Sequence, residues 1–429
     1  MVIVLSQKRG ISTTIAGVAI VVALIIGATG GYFLAPPKTE DATTPALSGE
    51  IPIGVPIPLT GSLGTYGENG KVALELAVSE INTLLNTTGA GYWLRLYFED
   101  TETKPDICLQ KVQSLAAKGC KVMIGFYSSA EVRNCKTYAD TNKILLISPS
   151  STAPDLAIAG DYIFRFCPAD DKQGPAIAKA LISMGIEYII PIWRGDTYGD
   201  GLVNATQVRF AALGGSYDAA GIRYDQNARE FSTEIALLAQ KVQQAVDTYG
   251  ADKVAVYTIT FEEIVAMMVK ANEYPILSSV TWFGCDGSAL SAQLSADPVA
   301  AAFAVQTIFP ASYFAPAESA NLIKVREYIQ TRLGRTPDPY AYNLYDTLWI
   351  VWKCIGAAGK YDGEAVKTLM IPMAGNTFGA SGWCQLSLAG DRTIADYEFW
   401  GVYQVNATAF DWKKVGFYSA PSDSVTWTW

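Results

Sequence analysis

Histidine is absent from this chain of 429 residues. Without an imidazole, the chain cannot form a Ser-His or Cys-His nucleophile pair, a histidine general base or a histidine-ligated zinc site. Its seven cysteines are separated by about a dozen positions or more, which excludes the C-x-x-C motif of zinc and redox sites. The odd number also leaves at least one thiol without an intramolecular partner.

Charge is scarce and predominantly negative. Charged residues make up 17% of the chain, and 41 acidic residues outnumber 32 basic ones, so the formal net charge is -9. Nucleic-acid binding needs clustered lysine and arginine side chains, and the sequence contains no basic run. We therefore expect no nucleic-acid partner.

Signals of catalysis and of cofactor binding are weak. Residues 64–71 (GTYGENGK) fail the P-loop spacing, and no G-x-S-x-G elbow is present. Glu262 and Glu263 would point about 100° apart on a helix, which suits solvated side chains better than an acid–base pair. No dense group of carboxylates indicates a metal loop. The sequence thus predicts no catalytic residue, no metal and no cofactor, and it disfavours a hydrolase.

A long apolar run lies near the N-terminus of a chain that is 50% hydrophobic overall. Residues 11–35 carry no charge, and as a helix at about 1.5 Å per residue they would cross a bilayer core. Lys8 and Arg9 precede the run, so the positive-inside rule places the chain from residue 36 onward outside the cell. We predict a signal n-region over 1–10 and a transmembrane helix or signal anchor over 11–35. A cleaved secretory signal and a buried soluble helix are the alternatives.

The flanks of this run carry further signals. Residues 8–12 (KRGIS) resemble the class III, pilin-like signals of archaeal surface proteins, in which a peptidase cuts after the glycine and leaves the apolar helix in place. Residues 36–49 are rich in proline, threonine and serine, as is typical of a solvated linker. Sequons of the form N-x-[ST] begin at Asn86, Asn204 and Asn406 and are glycosylation candidates if the chain is exported.

After residue 50, short β-rich apolar runs alternate with amphipathic helical runs. Strands are predicted over 51–59, 93–98, 122–126, 144–147, 189–193, 254–257 and 280–283. This alternation is typical of parallel sheets covered by helices, and its restart near residue 189 predicts two doubly wound α/β lobes. Long helices at about 317–333 and 340–358, then strands from about 384, should complete both lobes. The predicted lobe 1 is 50–168 and 308–392, and the predicted lobe 2 is 169–307 and 393–429.

Small polar residues follow the predicted strands, where ligands bind in open α/β sheets. In the first lobe these runs are rich in hydroxyls, as in 127–129 and 148–152, and they precede helices. Hydroxyls and helix-start N–H groups suit a carboxylate, whereas Asp196 and Asp286 in the second lobe suit an ammonium group. The pattern predicts a zwitterion held between the lobes and walled by tyrosines.

Each of these residues also has a simpler structural interpretation. A serine or threonine at such a position commonly caps a helix. Asp286 followed by Gly287 is a common Asx-turn. Only the joint pattern favours a binding site.

Five blocks of the chain, spaced in order over most of its predicted exported part, resemble a known family. They are residues 53–82 (IGVPIPLTGSLGTYGENGKVALELAVSEIN), 144–156 (ILLISPSSTAPDL), 164–181 (FRFCPADDKQGPAIAKAL), 196–202 (DTYGDGL) and 283–290 (FGCDGSAL). Together they resemble the type I periplasmic-binding-protein fold, and more narrowly the branched-chain amino acid (Leu/Ile/Val) binding proteins of ABC importers. The resemblance implies two α/β lobes joined by a hinge.

The resemblance also implies roles for individual residues. The family's ligand serine falls at Ser129, its threonine for the ligand amino group at Thr152 and its acidic partner at Asp286. Thr260 or Phe261 stands where the family has a second tyrosine of the second lobe. The predicted ligand-binding residues are Tyr66, Tyr127, Ser128, Ser129, Ser150, Ser151, Thr152, Tyr198, Thr260 and Asp286. The family's early disulfide has its counterparts at Cys108 and Cys135.

The implied function is that of a membrane-tethered, extracellular solute-binding protein of an ABC importer. Hinge closure would capture a small amino acid, of branched-chain type first, or a related amide, and would present it to permease subunits. The N-terminal helix would hold the protein on the membrane at the cell surface. A sensor or a pilin-like surface subunit with the same fold and no transport role is the alternative.

Overall fold

The computed structural model describes residues 47–393 and 395–429. The predicted segments 1–10 and 11–35, and most of the linker 36–49, lie outside the described residues. Among the residues that are described, no helix is both long and apolar enough to cross a membrane.

The first sheet is parallel and five-stranded, in the order β2-β1-β3-β4-β5. Its strands are β1 (Gly49–Ile57), β2 (Tyr92–Asp100), β3 (Val122–Ile124), β4 (Leu145–Ser148) and β5 (Ile163–Arg165). The helices between them are α1 (Gly64–Thr88), α2 (Pro105–Ala117) and α3 (Ser129–Asn142). Ile53, Val55 and Ile57 of β1 have no exposed surface, as expected for a parallel strand covered on both faces.

The second sheet is also parallel, in the order β10-β9-β6-β7, and β8 pairs with β6. Its strands are β6 (Tyr188–Arg194), β7 (Ser216–Tyr217), β8 (Ile222–Tyr224), β9 (Val254–Ile259) and β10 (Thr281–Phe283). Its helices are α4 (Asp170–Ser183), α5 (Thr197–Ala212), α6 (Ser232–Tyr249), α7 (Ile264–Ala271), α8 (Ala292–Ala296) and α9 (Pro298–Gln306). The predicted parallel α/β architecture is therefore present twice.

The C-terminal part adds three helices, a short hairpin and an antiparallel sheet. In chain order these are β11 (Pro310–Phe314), α10 (Ala320–Leu333), α11 (Pro339–Ala358), α12 (Gly363–Gly375), β12 (Phe378–Gly379), β13 (Gly382–Trp383), β14 (Tyr397–Asn406), β15 (Ala409–Ser419) and β16 (Ser424–Trp427). The antiparallel sheet has the order β11-β14-β15-β16. Its last three strands begin at Tyr397, later than the predicted residue 384, because the chain around that position is in the β12–β13 hairpin and the connection after it.

The chain passes between the lobes more than once. A parallel bridge joins Arg165 to Asp391 next to the first crossing, and another joins Gly284 to Ala311 next to the second. Helix α11 packs against α1 of the first lobe, whereas β14 and β15 pack against α9 of the second. The exact lobe boundaries stay a prediction; β11, which they assign to lobe 1, pairs with β14.

The three sequons lie in different local structures. Asn86 is near the end of α1, Asn204 is within α5, and Asn406 ends β14, and all three side chains are exposed. The threonine of the Asn204 sequon, Thr206, is fully buried. Glycosylation at these positions stays a prediction.

Candidate functional site

The carboxyl ends of strands from both parallel sheets meet at one small cavity. Its lining residues are Leu63, Tyr66, Tyr127, Ser128, Ser129, Ser150, Tyr198, Phe261, Asp286, Gly287, Tyr313 and Tyr340. Seven of the ten predicted ligand residues are in this set. Ser151, Thr152 and Thr260 are buried nearby but do not line the cavity.

The loop after β3 is shaped by an unusual backbone. Gly125 has φ 151° and Phe126 has φ 57°. A Cβ at Gly125 would lie 2.0 Å from the carbonyl oxygen of Pro56, so only glycine fits between β3 and β1 here. This turn delivers Tyr127, Ser128 and the start of α3 to the cavity.

Hydroxyls of the first lobe form one hydrogen-bonded group around that loop. Ser148 at the end of β4 donates its Oγ proton to the carbonyl of Phe126 at 2.7 Å, and it accepts from the Ser151 N–H at 2.8 Å. Ser150 donates to the carbonyl of Tyr127 at 2.8 Å. The side chains of Ser148 and Ser150 thereby tie the loops after β3 and β4 together.

Ser129 stands at the first turn of α3 with its own proton available. Its Oγ accepts hydrogen bonds from Ser151 Oγ at 3.1 Å and from the Ala153 N–H at 3.2 Å. With both acceptor positions used, its O–H is free to donate into the cavity. The positive end of the α3 dipole adds to the attraction for a negative group.

Ser128 has a structural role in the same turn. Its Oγ accepts from the Glu131 N–H at 3.2 Å, and the Glu131 carboxylate accepts from the Ser128 N–H at 3.0 Å. This reciprocal pair is a capping box. The hydroxyl of Ser128 therefore caps the helix, as the simpler structural interpretation predicts, although the residue also lines the cavity.

Asp286 forms the acidic end of the cavity from the second lobe. Its carboxylate accepts from Tyr198 Oη at 2.6 Å, Tyr340 Oη at 2.6 Å and Gln173 Nε2 at 2.9 Å. Burial raises the pKa of Asp286, and these three donors lower it again in part. All three donors are neutral, so no cationic side chain bonded to this carboxylate neutralises its charge.

A second carboxylate, Asp170, was missed by the sequence analysis. It is fully buried, and neither of its oxygens has a hydrogen-bond partner in the described chain. Its N–H donates to the carbonyl of Thr152 at 2.8 Å, and Gln173, which bonds Asp286, follows one turn later on α4. Burial raises the pKa of Asp170 well above its usual value, the charge of Asp286 raises it further, and the positive charge of Arg165 lowers it in part.

Other buried polar atoms near this acidic end also lack hydrogen-bond partners in the described chain. They include Thr152 Oγ1, Gln173 Oε1 and Thr260 Oγ1. Buried polar groups without partners are rare in proteins and are commonly satisfied by a ligand or by ordered water. Together with Asp170 they mark a region suited to a group with several donor hydrogens.

Aromatic rings close the remaining sides of the cavity. Tyr66 of α1 donates its Oη proton toward the carbonyls of Gly287 at 3.2 Å and Ala289 at 3.0 Å, across the cleft. Phe261 is stacked on Tyr198 with ring centroids 5.4 Å apart. Phe261, and not Thr260, is therefore the residue that lines the cavity where the family resemblance left the two open.

The two cysteines of the predicted disulfide are neighbours in the core of the first lobe. Cys108 Sγ and Cys135 Sγ are 3.7 Å apart, and both side chains are fully buried. The disulfide stays a prediction. In the part of the chain that is described, no group of three or more acidic or cysteine side chains is arranged to hold a metal.

Comparison with known families gives one match that spans most of the chain. The model of the family described as "Periplasmic binding protein" matches residues 50–387. An uncharacterised protein of Methanocaldococcus jannaschii is 32% identical over 420 residues, covering 93% of this chain and 97% of that protein. Leu/Ile/Val-binding protein homolog 2 of Brucella abortus is 30% identical over 197 residues, covering 44% of this chain and 51% of that relative.

Solved structures share the fold at low sequence identity. The leucine-binding protein LivK of Thermotoga maritima superposes with a TM-score of 0.71 at 19% identity, covering 87% of this chain and 99% of that one. The branched-chain amino acid transporter substrate-binding protein LivJ of Streptococcus pneumoniae, in complex with isoleucine, gives 0.67 at 17% identity, covering 85% and 99%. A solute-binding protein of Rhodopseudomonas palustris in complex with benzoate gives 0.66 at 16% identity, covering 86% and 96%.

Proposed function

Because this chain belongs to the periplasmic binding protein family, we propose that it captures a small amino acid or a related amide between its two lobes and delivers it to an ABC permease. The observation that carries the proposal is the pair of opposed walls at one buried cavity. Hydroxyls and a helix start form one wall, and the carboxylate of Asp286 forms the acidic end, with the buried Asp170 near it. Branched-chain amino acids are the first candidates because the relatives' names mention them.

The first-lobe wall would bind the ligand carboxylate. Ser129 has a proton to donate, and it stands in the first turn of α3, where the helix dipole is positive. A charge-assisted hydrogen bond is about twice as strong as a neutral one, and burial strengthens it further. A ligand with a neutral amide in place of its carboxylate is a weaker candidate, because it has no negative charge for this wall to attract.

The acidic end would bind the ligand ammonium. An ammonium group has three donor hydrogens. Asp286 lines the cavity and would accept from it, and the oxygens of Asp170 and Thr152 Oγ1 are buried nearby without hydrogen-bond partners in the described chain. Its positive charge would compensate the buried carboxylate of Asp286, to which no cationic side chain of the described chain is bonded. This arrangement disfavours a benzoate-like ligand, whose only charge is negative.

The proposal includes a place in the cell. The predicted helix over 11–35 would hold the binding domain at the outer face of the membrane, and the linker 36–49 would let it reach the permease. Tethering raises the effective concentration of the receptor at its permease without any new contact. Fractionation of cells that produce the full chain tests this part separately from ligand binding.

The direct test is a binding experiment on the purified full chain. A thermal-shift screen of amino acids and amides should identify the ligand, because a bound ligand stabilises the native state by mass action. Asp286→Ala should then lower the affinity for that ligand by at least about tenfold, or about 1.4 kcal/mol, by isothermal titration calorimetry.

The matched control is Asp171→Ala, which removes an exposed carboxylate next to Asp170. The affinity of this variant should stay close to that of the wild type. Equal affinities for Asp286→Ala and the wild type would remove Asp286 from the site. A screen in which no zwitterion raises the melting temperature would argue against the proposed function itself.

A further inference from the structure

We propose that the ligand is a zwitterion of glycine or alanine size, and that the site excludes branched-chain amino acids. This inference rests on the proposed function, and within its ligand class it replaces the branched-chain amino acids, which the relatives' names favour, by smaller ones. It is carried by the size of the closed cavity and by the hydrogen bonds that fix its aromatic walls.

The closed cavity is very small. Its volume is about 20 Å³, little more than the roughly 10–15 Å³ that one water needs. The pockets of drug-sized ligands have volumes of about 300–1,000 Å³. A ligand must therefore gain its space by slight opening of the lobes, and each additional carbon demands more opening.

The walls cannot make room by rotating side chains at low cost. The hydroxyls of Tyr198 and Tyr340 are both bonded to Asp286 at 2.6 Å, and the hydroxyl of Tyr66 is bonded to backbone carbonyls across the cleft. Tyr313 has no exposed surface, and its ring packs against that of Tyr340 at 4.8 Å. Moving any of these rings breaks a buried hydrogen bond or disrupts close packing.

Opening the lobes far enough for a leucine side chain would cost the contacts that cross the cleft. Besides the Tyr66 bonds, these include the Thr65–Glu262 hydrogen bond and the bond from the Glu262 N–H to the Ser62 carbonyl at 3.1 Å. A short side chain keeps the ligand ends between the two walls while these contacts remain. Amino acids with larger side chains should therefore bind more weakly, because they prevent the two lobes from closing completely.

Leu63 offers a way to enlarge the cavity without touching its polar groups. Its side chain lines the cavity and is only 4% exposed. Leu63→Ala removes three carbons and no side-chain hydrogen bond. Leu63→Met keeps the volume and is the matched control.

The experiment is calorimetric titration of the full chain with glycine, alanine, valine, leucine and isoleucine. For the wild type and for Leu63→Met we expect the better of glycine and alanine to bind at least about tenfold more tightly than leucine, which is about 1.4 kcal/mol. In Leu63→Ala that ratio should fall at least about fivefold, since valine or leucine carbons then fill the new space. Leu63→Val, a smaller change, should shift the ratio in the same direction if Leu63→Ala does not fold.

Two outcomes would overturn the inference in different ways. Wild-type affinity for leucine or isoleucine equal to or above that for alanine would refute the size limit and leave the proposed function standing. Absence of binding to all five amino acids would also refute the size limit, and the thermal-shift screen would then decide separately whether another zwitterion is the ligand.

Discussion

Arg165 shows how a single buried charge supports the site. It has no exposed surface, and its guanidinium donates to both oxygens of Asp391 at 2.6 and 2.7 Å. Its third nitrogen donates to the carbonyls of Ser151 at 3.1 Å and Ala153 at 2.6 Å. One side chain thus connects the serine-rich loop of the ligand wall to the chain that returns near residue 391.

We expect Arg165→Met to destabilise the protein by about 3–5 kcal/mol, because it leaves the Asp391 carboxylate buried and unpaired. Urea unfolding of the full chain, followed by circular dichroism, measures this loss. The control is Arg95→Met, which breaks an ion pair to Glu50 in which the arginine side chain is 60% exposed. That change should cost less than about 1 kcal/mol, and similar losses for the two variants would contradict this account of Arg165.

Two neighbouring aspartates differ in burial in a way that the sequence alone did not predict. Asp170 and Asp171 are adjacent and chemically identical in the sequence, yet the first is fully buried and the second is exposed. Position in the first turn of α4 decides which carboxylate turns toward Thr152. Gln173 could have indicated the buried position of Asp170, because residues three apart lie on the same face of a helix.

At the scale of elements, the start of α3 combines a structural and a functional role in neighbouring serines. The hydroxyl of Ser128 is used by the capping box with Glu131, whereas the hydroxyl of Ser129 keeps its proton. The helix must begin at this point for either role to exist. The helix cap and the proposed ligand-binding hydroxyl therefore occupy consecutive positions of one turn.

We expect Ser128→Ala to lower the free energy of unfolding by about 1 kcal/mol, the usual cost of losing an N-cap side chain. Its effect on ligand affinity should be small, because the removed hydroxyl does not reach the ligand. Ser129→Ala, the same change one residue later, should instead weaken ligand binding. Denaturant unfolding and calorimetry of both variants test this. A larger loss of affinity in Ser128→Ala than in Ser129→Ala would contradict the assignment of capping to Ser128 and of ligand binding to Ser129.

At the scale of the whole molecule, contacts across the cleft hold the lobes together around the cavity. Tyr66 bonds to the second lobe at Gly287 and Ala289, and Arg133 Nε donates to Thr197 Oγ1 at 2.6 Å. These contacts lie between two lobes that each have their own parallel sheet. Two bodies with separate sheets, joined by crossing segments, can move relative to each other by a hinge motion.

We expect Tyr66→Phe to favour the open form, because it removes the hydroxyl that bonds across the cleft while keeping the ring. Each such hydrogen bond contributes about 1 kcal/mol, so ligand affinity should fall about fivefold. Small-angle X-ray scattering should show a larger radius of gyration for the ligand-free variant than for the wild type. Tyr97→Phe, which loses a hydroxyl bonded to Glu50 within the first lobe, should leave both measurements unchanged.

The sequence by itself determined the alternation of strands and helices, because apolar periodicity is a local property. The predicted strands 93–98 and 254–257 lie within β2 and β9, and the predicted helix 340–358 differs from α11 by one residue at its start. It also determined which loops carry hydroxyls and acids, since loops at strand ends meet at one edge of a parallel sheet.

Only the tertiary structure decided which of these side chains share a cavity. Tyr313 and Tyr340 reach the site from the C-terminal part, and nothing in their local sequence distinguishes them from other tyrosines of the chain. Pairing of β11 with β14 joins residues more than 80 positions apart, about 310 and 400, so no local pattern encodes it. Burial, the direction of a side chain on its helix and closure of one lobe on the other are long-range properties, and they set the size and charge of the site.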